Sequence, residues 1–264
     1  MLISSVQNIK VKSARSLHSS KGRWEGSALL VEGVRLIEEA AQSSQSIEQL
    51  FYCPERCQSA REQRVLASVE GQGAELLAVT PQVLQALSQT VTPQGLVARV
   101  TLPLRVPVVE LSSGSHLLVA DGVQDPGNMG TLMRLAHAFA CCTMVVLPHT
   151  VDYRSDKVVR ASMGAVFHLP VQEWHSDELV TAMAELHIPL LVLSVAQGIP
   201  LWHSHLAEGW AFVVGNEGRG VSPLLAEVAD QAIMIPMPGG AESLNVATAA
   251  AIALYEATRQ QARL

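Results

Sequence analysis

Aromatic side chains are scarce in this sequence: 4 Phe, 3 Tyr and 4 Trp among 264 residues. Any core must therefore be aliphatic, and with 48% of the chain apolar there is enough material to build one. That content excludes wholesale disorder. No apolar run approaches the roughly 18 residues of a membrane span. Residues 1–12 place polar side chains where a secretory leader needs an apolar block. A cytoplasmic protein with no membrane partner is expected. Cysteine is also sparse. Cys53 and Cys57 are separated by three residues, Cys141 and Cys142 are adjacent, and neither pair has a second pair at zinc-ribbon spacing. Reduced structural thiols and no metal site follow.

Positive charge is in the minority, with a formal net charge of −6, which argues superficially against nucleic acid. Its distribution reverses that view. Residues 1–105 carry 11 Lys/Arg against 9 Asp/Glu, and residues 106–264 carry 7 against 15. The first 24 residues hold no acid but contain Lys10, Lys12, Arg15, Lys21 and Arg23. A local basic patch binds phosphates on an acidic protein because salt screens the distant charges. The bland alternative is a solvated helix face.

There is no fixed-period repeat and no low-complexity tract. Residues 102–115, with Pro103, Pro107 and a Ser-Ser-Gly-Ser cluster, read as linker chemistry. They divide the chain into residues 1–104, a linker at 105–115, and a domain at 116–264. In the first part, 33–42 reads as a helix, 50–53 as a short strand and 83–88 as a helix, giving a small α/β module. In the second part, 116–123, 143–147, 166–170, 189–195, 210–215 and 232–237 read as strands. Several are continuous apolar runs, as for strands buried on both faces. Their alternation with helices predicts a mostly parallel sheet covered on both sides.

Three unusual segments each follow one of those strands, where open α/β sheets collect ligands. Residues 121–130 run into a helix at 131–140, whose Leu132, Leu135, Ala136 and Phe139 share one face. Gly127 and Gly130 permit close backbone approach. Arg134 lies off the apolar face, in the first turn or so, where a guanidinium fits a phosphate; an ordinary solvated arginine is the alternative. Residues 213–222 contain Gly215, Glu217, Gly218 and Gly220. Their spacing matches neither a phosphate-binding P-loop nor a dinucleotide fingerprint. Glu217 is read as an acid/base group, a ribose ligand or a helix-start carboxylate. Residues 235–246 precede an alanine-rich helix at 247–255 that Ser243 or Glu242 caps. Asn245, read as lying inside that helix, is a buried amide in need of partners. A fourth segment, 157–165, carries Lys157 and Arg160 on adjacent helical turns, facing phosphate or merely solvent.

Together these segments resemble the SpoU (TrmH-type) branch of the SPOUT RNA methyltransferases. Asn128, Gly130 and Arg134 match its Asn-x-Gly-x-x-x-Arg motif. Gly215, Glu217, Gly218 and Gly220 match Gly-x-Glu-Gly-x-Gly. Ile235 to Met237 and Ser243 to Val246 match the third motif, and residues 160–164 match as well. Asp156 stands where proline is common and Ala247 where serine is common. Residues 8–17, 31–33 and 92–95 look like the ribosomal-protein-L30-like substrate-binding domain fused to many members.

The resemblance implies a deep C-terminal trefoil knot, a rare exception to unknotted topology. It implies S-adenosyl-L-methionine as cofactor, held at Gly215, Ile235 and Leu244 with Met237 and Ser243 beside them. It also implies a homodimer through the C-terminal domain. The reaction would be methylation of a ribose 2′-hydroxyl in RNA; the extra N-terminal domain favours ribosomal RNA, with transfer RNA as the alternative. Arg134, Asn128, Glu217 and Asn245 would form the catalytic set, and Lys10, Lys12, Arg15, Arg23, Lys157 and Arg160 the RNA contacts. Arg134 is implied as proton acceptor, although a guanidinium keeps its proton far above neutral pH; orienting a phosphate is the safer role. Two rivals remain at this point: a non-catalytic RNA-binding or ribosome assembly factor on the same fold, and a nucleotide-dependent oxidoreductase, against which the missing fingerprint counts.

Overall fold

The computed structural model describes residues 2–102, 110–195 and 197–262. The chain divides into two units, Met1–Leu104 with Arg154–His168, and Arg105–Tyr153 with Leu169–Leu264. Pro103 and Pro107 of the expected linker lie outside the described residues, and 110–115 hold neither helix nor strand.

The first unit contains α1 (Ile9–Ser16), α2 (Ser20–Gly26), β1 (Ala28–Glu32), α3 (Val34–Gln42), β2 (Ile47–Tyr52), α4 (Ala60–Gly71), β3 (Glu75–Ala78), α5 (Pro81–Leu87) and β4 (Leu96–Thr101). Its sheet runs β1-β4-β2-β3. β4 is antiparallel to both neighbours, and β3 is parallel to β2. Gly33, at φ +98°, turns the chain from β1 into α3 in a conformation a β-carbon resists. Val11 and Ala14 of α1 pack with Phe51, Val79, Leu84 and Val97. Phe51 has no exposed surface, and burying such a side chain stabilises by about 1.5–3 kcal/mol.

The second stretch of chain supplies β5 (His116–Asp121), α6 (Pro126–Ala138), β6 (Thr143–Val146), α7 (Asp156–Ala161), β7 (Val171–Glu173), α8 (Ser176–Leu186), β8 (Leu190–Ser194), β9 (Ile199–Pro200), β10 (Trp210–Gly215), α9 (Pro223–Val228), β11 (Gln231–Met234) and α10 (Val246–Gln261). A seven-stranded sheet runs β7-β6-β5-β10-β8-β11-β9, every pairing parallel. All six residues of β10 and all four of β6 are buried. Hence their sequences read as unbroken apolar runs. Leu117, Val119, Val145, Val192 and Val213 share a core with Leu179 and Met183 of α8 and Leu225 of α9. The edge strands β7 and β9 are only three and two residues long, which limits the unpaired backbone they present.

The expected strand at 166–170 is corrected. Gly164, at φ +99°, follows Met163 at φ +52°, and the chain then closes a 3₁₀ turn over Ala165–Phe167. Val166 and Phe167 are buried, so their apolar character reports a packed turn. This turn, with α7, groups with the first unit. Val158 and Val159 of α7 are buried, and the helix lies on β1. The Arg154 guanidinium sits 4.4 Å over the Trp24 ring. His168 Nε2 is 3.5 Å from a carboxylate oxygen of Glu39 on α3. Among the described residues no helix is long and apolar enough to cross a membrane.

Candidate active site

Asp121 at the end of β5 is paired in register with Gly215 at the end of β10, so two of the loops leave the sheet side by side. Asp125 caps α6, its Oδ1 accepting the Asn128 N–H at 2.8 Å. Pro126 then occupies the first turn, where its missing N–H costs nothing. The helix therefore starts five residues before the start at 131 expected from the apolar repeat. Asn128 and Gly130 lie in its opening turns. Arg134 is exposed on the third turn, not the first, so the helix terminus does not supply its anion-binding partner.

The second loop is a tight turn in which Asn216 and Gly220 exchange backbone hydrogen bonds of 2.9 and 2.8 Å. A β-carbon at Gly215 would collide with the backbone of Gly220. Glu217 is not at a helix start; it projects from this turn across to the first loop. Its Oε1 accepts from Asp125 N at 3.1 Å and Asn128 Nδ2 at 2.9 Å, and its Oε2 accepts from Gln124 N at 3.2 Å. Burial pushes this carboxyl up. The hydrogen bonds from Asn128 and from backbone N–H groups outweigh that effect and hold it below the usual carboxylate range. A carboxylate so filled is an anchor rather than a base.

Asn128 passes the connection on, its Oδ1 accepting from Asn245 Nδ2 at 2.8 Å. Asn245 is neither buried nor inside the helix. It is the exposed N-cap of α10, with Oδ1 accepting from Ala247 N at 3.0 Å and Thr248 N at 3.2 Å. It takes the capping role expected of Ser243 or Glu242. The chain Glu217–Asn128–Asn245 thus joins all three segments through side chains.

Four residues that the sequence reasoning missed hold these loops in place. Asp121 is buried, and its Oδ2 accepts from Ser222 N at 2.6 Å. Thr150 Oγ1 accepts from Gly122 N at 3.0 Å and donates to Ala120 O at 3.1 Å. Asn216 Nδ2 donates to Gly122 O at 2.9 Å. A carboxylate ending an apolar strand and an asparagine among glycines were visible signals for Asp121 and Asn216. Thr150 and Ser222 offered none.

Residues 115–255 match the model of the SpoU rRNA Methylase family. The chain belongs to that family. Residues 8–98 match an MRM3-like substrate binding domain. A 23S rRNA (guanosine(2553)-2′-O)-methyltransferase of Bacillus subtilis (strain 168) is 32% identical over 253 residues, covering 96% of this chain and 97% of the relative. A 23S rRNA (uridine(2479)-2′-O)-methyltransferase of Streptomyces viridochromogenes is 30% identical, covering 90% of this chain and 85% of the relative. Among solved structures, an RNA 2′-O ribose methyltransferase superposes with a TM-score of 0.85 at 33% identity, over 99% of this chain and 100% of the other. The SpoU methyltransferase AviRb from Streptomyces viridochromogenes, in complex with AdoMet, gives 0.86 at 28% identity, over 97% and 99%.

In this SpoU-family chain, Gly215 is buried, Ile235, Met237 and Leu244 are half-buried, and Ser243 is exposed. Gly215 ends β10 and the other four follow β11, at the carboxyl edge of the parallel sheet. Their chemistry suits the adenosyl group of S-adenosylmethionine, which needs apolar walls and close backbone: three half-buried apolar side chains, and a glycine at 215 where a β-carbon would collide. The basic residues fare unevenly. Lys12, Arg15 and Lys157 are exposed. Lys10 is ion-paired with Glu75, and Arg160 with Asp156. Arg23 is only 7% exposed, its Nη1 donating to the carbonyls of Leu17 at 3.1 Å and His18 at 2.9 Å. It is an interior tie of α2, which corrects its place among the expected RNA contacts.

Proposed function

We propose that this chain transfers a methyl group from S-adenosylmethionine to a ribose 2′-hydroxyl of ribosomal RNA. The observation that carries the reading is the Glu217–Asn128–Asn245 chain, which joins three sequence-distant motifs at one place. The names of the relatives support the substrate class. When bound at the carboxyl edge of the sheet, the cofactor supplies an electrophilic methyl on its sulfonium. Gly215, Ile235, Met237, Ser243 and Leu244 bind and wall it. Asn128 and Asn245, fixed by Glu217, keep the substrate-side loop in one geometry, so that the hydroxyl is aligned before reaction. Arg134, exposed on α6, orients an RNA phosphate with its planar fork. Lys12, Arg15 and Lys157 give the first unit its phosphate-facing cations.

The same reading places the chain in a homodimer through α10, where Ile252 is 38% and Tyr255 64% exposed beside small alanines. It includes the trefoil knot, consistent with a sheet order in which β8 lies between the later strands β10 and β11. Four free cysteines agree with a cytoplasmic, reducing setting.

Single-turnover methylation of ribosomal RNA by Arg134→Ala tests it. Transfer is expected to fall by about 100-fold or more, the scale of a misaligned reactant, with cofactor affinity by calorimetry unchanged. Full transfer by that variant would remove Arg134 from the site. Failure of the unaltered protein to make any 2′-O-methyl mark on ribosomal RNA would end the reading.

A further inference from the structure

The first unit holds four aromatic side chains, Trp24, Phe51, Tyr52 and Phe167. Phe51 and Phe167 are buried and Tyr52 is half-buried. Trp24, on α2, is 39% exposed. The helix that carries it is firmly set. Gly22 presses on the end of α1, where a β-carbon would collide with Ser16 O. Ser19 Oγ caps α2 by accepting from Gly22 N at 3.0 Å. Arg23 turns inward to the carbonyls of Leu17 and His18. These ties fix the rotation of a seven-residue helix that is too short to be stable alone, and Trp24 is left at the surface.

Arg154 covers one side of the ring. Its Cζ lies 4.4 Å from the ring centroid, and the residue is 3% exposed. The indole surface open to solvent is therefore the opposite face and its edge. A cation behind an aromatic ring also holds the ring in place. The result is a flat, rigid, uncovered π-face on the unit that matches a substrate-binding domain.

The charges nearby favour a nucleic acid over a protein as its partner. Lys21 lies three residues before Trp24 on α2, hence on the same side of the helix, and is exposed. Its contact with Glu25, at 3.6 Å, is a surface pair that costs little to give up. Lys157 is exposed in the first turn of α7, just after Arg154, and the neighbouring Asp156 is taken by Arg160. An apolar protein surface laid on Trp24 would have to strip water from these ammonium groups. The phosphates flanking a base would pair with them instead. Inside a duplex each base is covered on both faces by its neighbours, so the base that can stack on a side chain is an unpaired one.

We propose that Trp24 is a stacking platform for an unpaired base of the RNA substrate, an inference that rests on the RNA methyltransferase reading. The base lies on the indole face opposite Arg154, with its flanking phosphates toward Lys21 and Lys157. Every base has a π-face, so such a contact tolerates any sequence. What it selects is strand state, a loop or bulge over a continuous helix.

The test measures binding of wild-type, Trp24→Ala, Trp24→Leu and Trp24→Phe proteins to in-vitro-transcribed 23S ribosomal RNA by filter binding across a salt series. A short single-stranded oligoribonucleotide and the duplex of the same sequence serve as competitors. Melting temperatures and single-turnover methylation are recorded alongside. Trp24→Ala and Trp24→Leu are expected to bind about 10-fold more weakly, within the range of one base–aromatic stack, and Trp24→Phe to recover most of the loss. The slope of log affinity against log salt is expected to stay at its wild-type value, because stacking releases no counterions. The single strand is expected to lose its advantage over the duplex as competitor, and the defect in transfer to disappear at saturating RNA. Wild-type RNA affinity in Trp24→Ala overturns the proposal; if the sedimenting mass of that variant also falls, the surface belongs to a second copy of the chain. Trp24→Leu that binds like the wild type overturns it too, as does an equal loss in all three variants that tracks a lower melting temperature. Wild-type protein that binds ribosomal RNA but leaves no 2′-O-methyl mark on it refutes the methyltransferase reading, a result read separately from the binding of the Trp24 variants.

Discussion

At the scale of single residues, Glu217 has the largest share of the geometry. Its carboxylate holds two backbone N–H groups and the Asn128 amide. The group is largely exposed, so the donors freed by Glu217→Ala regain water, and the expected loss is near the low end for such bonds, about 1 kcal/mol. The consequence for pH has a definite sign. A carboxyl held below its ordinary value in the fold stabilises above its unfolded pKa, and that stability disappears as pH falls through the folded value. Urea denaturation across the acid range should show a steeper decline in the wild type than in Glu217→Gln, in which the lowered carboxyls of Glu38 and Glu75 still titrate. Identical acid limbs for the two proteins would contradict the account. The role of Glu217 in this chain could not be read from its sequence, since a carboxylate in a glycine-rich turn is equally an acid, a ligand or a cap. Only the partners decide, and they lie about ninety residues away.

At the scale of elements, helix starts were the least legible feature. Apolar periodicity marks where a helix meets the core, not where it begins. α6 opens at Pro126 because Asp125 and proline fix its first turn ahead of any buried residue. α10 opens at Val246 because Asn245 caps it, and that cap also meets Asn128. The two functions of Asn245 are separable by substitution. Asn245→Ala should lower stability by about 1 kcal/mol through loss of the cap, and should slow methyl transfer as well. Asn245→Asp keeps the capping oxygen but loses the amide that donates to Asn128, so thermal stability should hold while transfer falls. Equal melting and equal rates for both variants would dissociate the cap from the site. Strands were more legible, because burial on both faces leaves continuous apolar runs such as those of β6 and β10. The failure at 166–170 has the same cause, since a buried 3₁₀ turn is also continuously apolar.

At the scale of the whole chain, charge arithmetic finds where cations concentrate along the sequence but not which of them reach the surface. The acid-free start does supply Lys12 and Arg15 at the surface, but folding turns Arg23 inward and sets Lys10 against Glu75. Changing Lys12 and Arg15 together to Ala should weaken RNA binding and lower the slope of log affinity against log salt by about 1.4–1.8, for two lost phosphate contacts. An unaltered slope would place the RNA on another face. The grouping of residues 154–168 with the first unit was invisible to any linear reading, because they sit in sequence between two strands of the other sheet. A fragment ending at residue 104 lacks Arg154 over Trp24 and the buried valines of α7. It should melt at a lower temperature than the same fragment fused to residues 154–168 through a flexible linker; equal melting temperatures would show that the insertion contributes nothing to that unit.

The contribution of 154–168 has a consequence for inheritance. A recombination event that exchanged only the leading stretch of the gene would hand the new protein a substrate-gripping half fitted to another chain's α7, with a foreign residue beneath Arg154. Halves of this design cannot be traded as separate beads. Viable chimaeras must carry both stretches from one parent, or mutate the seam after crossing over.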